Sequence, residues 1–540
     1  MKKSKAMAMT LLGTALLASA LSGCSKNSNA DNKPAESKSA EASVQASQSA
    51  QAAGDTGAKS YDKKLTLNLG IFDATDFNDD LSKYIEQQFN VDLKLTQIVW
   101  DSWSEQVNLL TASGDMPDVL VFDLKPETFG QYKKLVQQGV LRDIPVLDDS
   151  RPNLAKLRDS MPVVDQWKID GKLYAWPKAR GDNPYNMNST MFVAYRQDWA
   201  KKLGMDKDQY TAQDVYELAK AMKEQDPGGN GAGKTIGYGD VGWGFGYLAG
   251  AFSNTPDYMK QDGKYVWTQT DPAKAEGVAF MQKMYQDGVY WKDFFTAKDN
   301  DSRSQFVSGL MGVYADNLGV AAYNQLKKDF ATANPNVNPD EAIKLMKVVG
   351  SDGKMFSEQW DNYWSASIFS ANVSDEKMDR LLDIMDWSAS EEGSKYFFYG
   401  MKGKDWDEAG GQIELKWGKD DNGKLAPPKY NGAFLRTLAL LNGDFQAVNP
   451  DVSETTRNEV LDMLKNQTEE NTNLRKLDYS YQYFSAPNKD KYGSFADDKQ
   501  TAIKQIVVSK KDAVQEWTAW TKSMQPKVDK VLEEMNNGIK

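Results

Sequence analysis

Between Leu65 and Phe122 the spacing of apolar residues switches back and forth between a period of two and a period near 3.6, and this alternation restricts the fold more than any other feature of the chain. Leu65, Leu67, Leu69 and Ile71 alternate as in a strand. Leu81, Tyr84, Ile85 and Phe89 then share one helical face, Val91, Leu93 and Leu95 alternate again, and a helix capped by Asp101 or Ser102 carries Trp103, Val107 and Leu110. The run Val119, Leu120, Val121, Phe122 closes the series. This β-α-β-α-β order predicts an α/β body with a parallel or mixed sheet and helices on both faces, in which ligands bind outside the carboxyl ends of the strands. Asp73, Trp100, Asp101 and Asp123 follow strands and are the first residues to watch. Strand-like 192–196 and 311–314 and helical 211–224, 273–285 and 375–388 continue the pattern. The apolar positions from 511 to 535 read as a helical pair or one helix bent near Pro526, with Trp517 and Trp520 assigned to packing.

A chain of 540 residues needs at least two lobes. It contains no histidine and one cysteine, which excludes Ser-His-Asp and Cys-His nucleophiles, His-ligated metal sites and an internal disulfide. With 65 Lys+Arg against 76 Asp+Glu the net charge is −11, unsuited to a nucleic-acid surface. A mean hydropathy of −0.63 argues against a multispan membrane protein.

The lone cysteine stands at a telling place. Lys2, Lys3 and Lys5 precede an apolar run from Ala6 to Leu21, and Leu21-Ser22-Gly23-Cys24 follows. That is the layout of a secretory signal, and its end resembles a bacterial lipobox, which implies a lipid on Cys24 after cleavage. Loss of the first 23 residues, with three lysines and no acid, would leave a net charge of −14. From Ser25 to Ser60 there is no aromatic residue, and Val44 alone among the aliphatics is larger than Ala, so the segment is expected to be a disordered tether. Its root-mean-square reach is roughly 30 to 36 Å.

Two motifs fail on context. The stretch from Gly228 to Thr235 satisfies the phosphate-loop pattern letter for letter, yet it follows a helical segment and enters a short Gly-interrupted one, the reverse of what nucleotide binding needs. The same stretch has Asp226, Asn230 and Gly231 where a calcium loop would have them, but Gly228 stands at the third position, and Lys234 and Thr235 stand where acids would be wanted. No metal and no cofactor are expected.

Several segments carry a family resemblance: Ala112-Ser113-Gly114-Asp115-Met116-Pro117-Asp118-Val119, Asp170-Gly171-Lys172-Leu173-Tyr174-Ala175-Trp176-Pro177, Tyr195-Arg196-Gln197-Asp198-Trp199, Phe306-Val307-Ser308-Gly309-Leu310-Met311-Gly312 and Tyr399-Gly400-Met401-Lys402-Gly403-Lys404-Asp405-Trp406. In this order and behind a lipobox they resemble the lipoprotein solute-binding proteins of bacterial ABC importers, extracellular family 1, in the subgroup that captures oligosaccharides. The resemblance implies a type II periplasmic-binding-protein fold: two lobes, each a sheet flanked by helices, a ligand cleft between them, and closure about hinge strands. It implies an oligosaccharide ligand, permease subunits of an importer as partners, a monomer, and a place on the outer face of the cell membrane. The expected layout is a signal peptide over 1–23, the lipidated cysteine and linker over 24–60, the first part of lobe 1 over 61–183 and of lobe 2 over 184–310, a return to lobe 1 with a hinge crossing over 311–405, and a C-terminal helical region over 406–540 that completes lobe 2.

Sugars offer apolar C–H faces edged by hydroxyls, so flat rings beside planar polar groups are the residues to seek. Trp100 and Asp101 follow a strand, Trp243 and Phe245 lie between glycines, and Trp360, Tyr363 and Trp364 alternate with amides and acids. Asp123, Asp316 and Asn317 stand at strand ends, and Arg180, Asp182 and Tyr185 follow a Trp-Pro turn; Arg180 could grip a uronate with two prongs. The competing readings are a surface glycoside hydrolase or lyase working with two carboxylates, and a peptide-binding lipoprotein. Among 76 acids no motif fixes a catalytic pair.

Overall fold

A computed structural model describes residues 59–539, apart from 73, 100–101, 148, 180–186, 243, 299, 420–424, 439–451 and 493–494. The readings that concern the signal, Cys24 and the tether therefore lie outside the described residues, as do Trp100, Asp101, Arg180, Asp182, Tyr185 and Trp243. Tyr61 to Lys540 forms one unit.

Within it two of the three larger sheets each own a core, and the third runs Thr472–Arg475, Met355–Glu358, Val348–Val349, Tyr210–Thr211. The first sheet runs Val91–Ile98, Leu65–Phe72, Val119–Phe122, Tyr363–Phe369, Ala175–Ala179, with Tyr363–Phe369 antiparallel to both neighbours. Its strands form for the reason the sequence suggests: alternate leucines of Leu65–Phe72 face the core, and all four residues of Val119–Phe122 are buried. Gly70 lets the neighbouring strand come close, since a Cβ there would lie 2.5 Å from Leu120 Cδ1. The helix Asp80–Phe89 starts where the Asp79 carboxylate accepts the Ser82 N–H at 2.9 Å and stops at Asn90, whose φ is +47°.

The second sheet has the order Ile343–Met346, Met191–Arg196, Met311–Asn317, Ile236–Gly239. Met311–Asn317 therefore belongs to the second lobe, and the return to the first comes only between Glu358 and Tyr363, not at 311. A largely buried strand carries no mark of the sheet it will join, so the layout expected from the resemblance misplaces it. The segment from 406 is also divided. Trp406, Leu435 and Leu438 pack on the first core, Val460 and Leu464 on the second. The last helix, Ala513–Gly538, continues through Pro526 and lays Met524, Val528, Val531 and Met535 on Tyr258, Tyr265 and Trp267. Trp517 is buried there and its indole donates to the Gln269 carbonyl at 3.0 Å.

Three segments cross between the lobes side by side. Ser189 N–H donates to the Glu358 carbonyl at 3.0 Å, Trp360 N–H to the Met187 carbonyl at 2.6 Å, and Gln359 N–H to the Arg475 carbonyl at 2.8 Å. The Gln359 side chain accepts the Leu477 N–H at 3.3 Å. Segments 187–189, 358–361 and 475–477 are thus one ribbon.

The second core encloses one carboxylate. Asp240 is 1% exposed; its oxygens accept the Tyr238 hydroxyl at 3.0 Å, the Gly246 N–H at 3.0 Å and the Tyr290 hydroxyl. Burial raises its pKa to about 7 against the pull of those hydrogen bonds. Between the unfolded value near 4 and about 7 the folded state holds a proton that the unfolded chain has released, so this group lowers stability as pH rises through that window. The melting temperature of Asp240→Asn, measured by calorimetry from pH 5 to 8, is expected to fall less with rising pH than that of the parent chain. Parallel curves would refute the assignment.

Candidate functional site

A cleft of about 1300 Å³ lies along the carboxyl-end edge of the first sheet and above the crossing ribbon. The first sheet contributes Trp103, Asp123, Lys125 and Trp364, and the second contributes Met191 and Asn317. Glu358 to Asp361 and Arg475 to Leu477 form the floor, while Tyr258, Tyr481, Gln482 and Lys489 close the remaining side.

The rings are braced from behind. Trp103 stacks on Phe72 with ring centroids 4.9 Å apart and planes 27° apart, and Phe72 lies 6.0 Å from Trp364. The Lys178 ammonium sits beneath them, 5.3 Å from the Trp364 ring and 5.8 Å from Phe72. Lys178 is 1% exposed, and burial pushes its pKa down to about 7. Trp360, on the ribbon, donates its indole N–H to Glu358 Oε1 at 2.8 Å.

Charges at the cleft are largely paired. Lys125 lies 3.0 Å from Asp123, Lys499 lies 2.8 Å from Asp257, and Arg475 pairs with Glu358. Burial tends to raise the Asp257 pKa, but Lys499 overrides it and holds the carboxyl below its ordinary range. Burial raises the Asp123 pKa in spite of Lys125. Three polar atoms stand out: Asp123 Oδ1, the Tyr258 hydroxyl and Gln482 Oε1 are buried with no hydrogen-bond partner among the described residues. A buried polar atom left unmade costs about 1 to 3 kcal/mol. Three on residues of one cleft are what a hydroxylated guest would satisfy.

Five of the residues expected from sequence line this cleft: Asp123, Asn317, Trp360, Tyr363 and Trp364. Tyr363 does so only at its margin, for its ring is 4% exposed, sits edge-on to Trp167 at 4.8 Å and spends its hydroxyl on Tyr483. Phe245 and Asp316 do not line it. Phe245 stacks on Phe294 in the second core, with planes 12° apart, and Asp316 turns back to accept the Tyr314 hydroxyl and the Asn317 N–H. Tyr258, Gln482 and Lys489 were missed. They lie in the hairpin Tyr258–Trp267 and in polar sequence after 475, where no strand end marks them.

The protein-family model described as bacterial extracellular solute-binding protein matches residues 74–395. Lipoprotein LipO of Bacillus subtilis is 26% identical over 334 residues, 60% of this chain and 63% of LipO. The polygalacturonan/rhamnogalacturonan-binding protein YtcQ of the same organism is 25% identical over 374 residues, 67% of this chain and 70% of YtcQ. The chain thus matches less than two thirds of LipO's length. Among solved structures, the alginate-binding protein AlgQ2 without calcium ion superposes with a TM-score of 0.65 at 18% identity, covering 89% of this chain and 98% of that one. Its likeness concerns the fold: two α/β lobes.

The calcium-like spacing in the sequence falls in the loop after the helix Ala212–Gln225. Asp226, at φ +45°, is saturated from within: Oδ1 accepts the Asn230 N–H at 3.0 Å and the Thr235 hydroxyl at 2.6 Å, and Oδ2 accepts the Gly231 N–H at 2.8 Å. The Asn230 amide group donates to Thr235 Oγ1 and the Gly309 carbonyl. No second acid joins it, and among the described residues no group of three or more Asp, Glu, His or Cys could hold a metal ion. The donor set does not fit calcium, which takes six to eight oxygens. Melting temperatures in excess EDTA and in millimolar calcium chloride are expected to agree within about 1 °C, because a ligand stabilises only by binding the folded state. A rise of several degrees with calcium would overturn this reading.

Proposed function

Since the chain belongs to the bacterial extracellular solute-binding proteins, we propose that it captures an oligosaccharide between its lobes and delivers it, unaltered, to an ABC importer. The lobes close about the crossing ribbon, and the guest stabilises the closed form through contacts made to both. The observation that carries this is the pairing of braced rings with orphaned polar atoms in one cleft: Trp103, Trp364 and Trp360 for sugar C–H faces, Asp123, Tyr258 and Gln482 for hydroxyls. YtcQ and AlgQ2 bear the names of glycan binders, which supports the same class. Both names refer to acidic glycans. Here Lys125, Lys499 and Arg475 are already committed to carboxylates, and even with Lys489 and Lys491 counted the lining holds seven acids against six cations, so neutral hydroxyl-rich units suit this cleft better than a run of uronates.

The reading places the protein outside the cytoplasm, held by lipid on Cys24, as LipO's name also suggests. No helix among the described residues is long and apolar enough to cross a membrane. Anchoring would then rest on acyl chains.

Calorimetry with neutral and uronate oligosaccharides of equal length is expected to give one-to-one binding, tighter for the neutral series, with the sugar recovered intact. Turnover would make it an enzyme, and silence across the panel would remove the carbohydrate reading. Trp364→Ala should weaken binding by on the order of 1 to 3 kcal/mol while the melting transition stays cooperative. For the anchor, Cys24→Ala should abolish palmitate labelling and move the protein from the detergent to the aqueous phase; unchanged partitioning would refute it.

A further inference from the structure

The indole of Trp360 carries one polar atom and spends it on Glu358 Oε1, at 2.8 Å. The other oxygen of that carboxylate, Oε2, pairs with the Arg475 guanidinium. Glu358 ends the strand Met355–Glu358, and Arg475 stands directly opposite it in the parallel pair with Thr472–Arg475. One side chain therefore joins three things: a ring in the cleft and the second and third segments of the crossing ribbon.

We propose that Glu358, held by Arg475, is a positioning residue for Trp360: it fixes the indole on the cleft floor in the orientation a bound sugar requires. The inference rests on the carbohydrate reading and adds to it a determinant of affinity. The physical argument is one of lost freedom. A tryptophan at a cleft floor can turn about two side-chain bonds, and each orientation presents a different face. A single charge-assisted hydrogen bond to its only donor selects one of them before the guest arrives, so less ordering remains to be done on binding.

The choice of glutamate follows from the two partners. An indole N–H needs an acceptor, and a guanidinium needs a negative charge; a carboxylate serves both at once, one oxygen each. Arg475 in turn keeps Glu358 from swinging into the cleft, where 30% of its side-chain surface is still exposed. The backbone does the rest. Trp360 N–H is bound to the Met187 carbonyl and Gln359 N–H to the Arg475 carbonyl, so the ring's main-chain anchor is tied to both flanking segments. The ring cannot shift without the ribbon.

The test uses the mature chain with four variants: Glu358→Ala, Glu358→Gln, Trp360→Phe and the double Glu358→Ala/Trp360→Phe. Two readouts separate positioning from sugar binding. In indole-¹⁵N-labelled protein the Trp360 resonance, identified by its loss in Trp360→Phe, should move in Glu358→Ala and much less in Glu358→Gln, which keeps an acceptor oxygen. Affinity is then measured for galactotriose and for trigalacturonic acid. Glu358→Ala and Trp360→Phe are each expected to weaken binding of the sugar that the parent chain takes by about tenfold, the double variant no further than either single one, and Glu358→Gln to stay within about threefold. The shortfall from additivity, one factor of ten, corresponds to about 1.4 kcal/mol of coupling. Additive losses would overturn the proposal, as would an unmoved resonance in Glu358→Ala, or a moved resonance with unchanged affinity. Were the parent chain to bind neither sugar, the carbohydrate reading would fail for these probes while the resonance still decided whether Glu358 holds the ring. Glu358→Gln, isosteric with the parent, keeps the comparison open if the alanine variant loses its cooperative melting transition.

Discussion

The cleft depends on the hydrogen bonds that make one ribbon of the three crossing segments. Two separate cores, each around its own sheet, have no reason of their own to stay in register, since apolar burial is non-directional and each core is complete in itself. What sets one against the other is a short stretch of paired backbone: Ser189 on Glu358, Trp360 on Met187, Gln359 on Arg475. Three strands bonded in this way bend together more readily than they shear, because shear would break the N–H to carbonyl pairs, whereas a bend spreads small dihedral changes over several residues. Such a ribbon would let the proposed opening and closing leave the cleft floor intact, and Trp360 is placed on that floor.

Much of the first lobe was legible because its periods are clean. Leucines at every second position and a helix face at 81, 84, 85 and 89 leave one arrangement, and the structure has it. The expectation that ligands bind after strand ends named Asp123 and Asn317, and the alternation of rings with polar residues named Trp364; all three line the cleft. What failed did so for definite reasons. The buried run at 311–317 could join either sheet, since its pattern says buried and nothing more. Phe245 was chosen for its Gly-rich surroundings in sequence, but the neighbour that decides its place, Phe294, comes from elsewhere in the chain, just as Trp167 and Tyr483 keep Tyr363 at the margin of the cleft. Tyr258 and Gln482 were out of reach for the converse reason: what marks them is an absent partner, and partners are a property of three dimensions.

The loop after Ala212–Gln225 shows how a resemblance and a chain can part company. Its glycines and Asp226 keep the shape of a cation loop, while the ligand positions have changed. Thr235 and two backbone N–H groups take up the carboxylate oxygens that a metal would otherwise bind, and Asn230 ties the loop to the turn at Gly309. A hydrogen-bonded turn of this kind needs no ion to form, and its closure is set by the fold rather than by the calcium level outside the cell. The loop's task is mechanical: it joins a helix end to Ile236–Gly239 and ties both to the turn at Gly309.

The orphaned atoms give the cleft a direction of preference. Asp123 Oδ1, the Tyr258 hydroxyl and Gln482 Oε1 each find no hydrogen-bond partner among the described residues, and the burial that isolates them also raises the Asp123 pKa. Replacing them by apolar groups would relieve that penalty, and the stability of the empty protein would gain. A chain that keeps them gives up some stability in the unliganded state, and a guest with hydroxyls at the right places recovers it on binding. Asp123 follows a strand of the first sheet and Tyr258 opens a hairpin held by the last helix, so one guest that satisfies both touches two separately packed parts of the protein. In the proposed function such a two-sided contact is what would couple affinity to closure, because a contact made to one lobe alone shifts no equilibrium between open and closed forms.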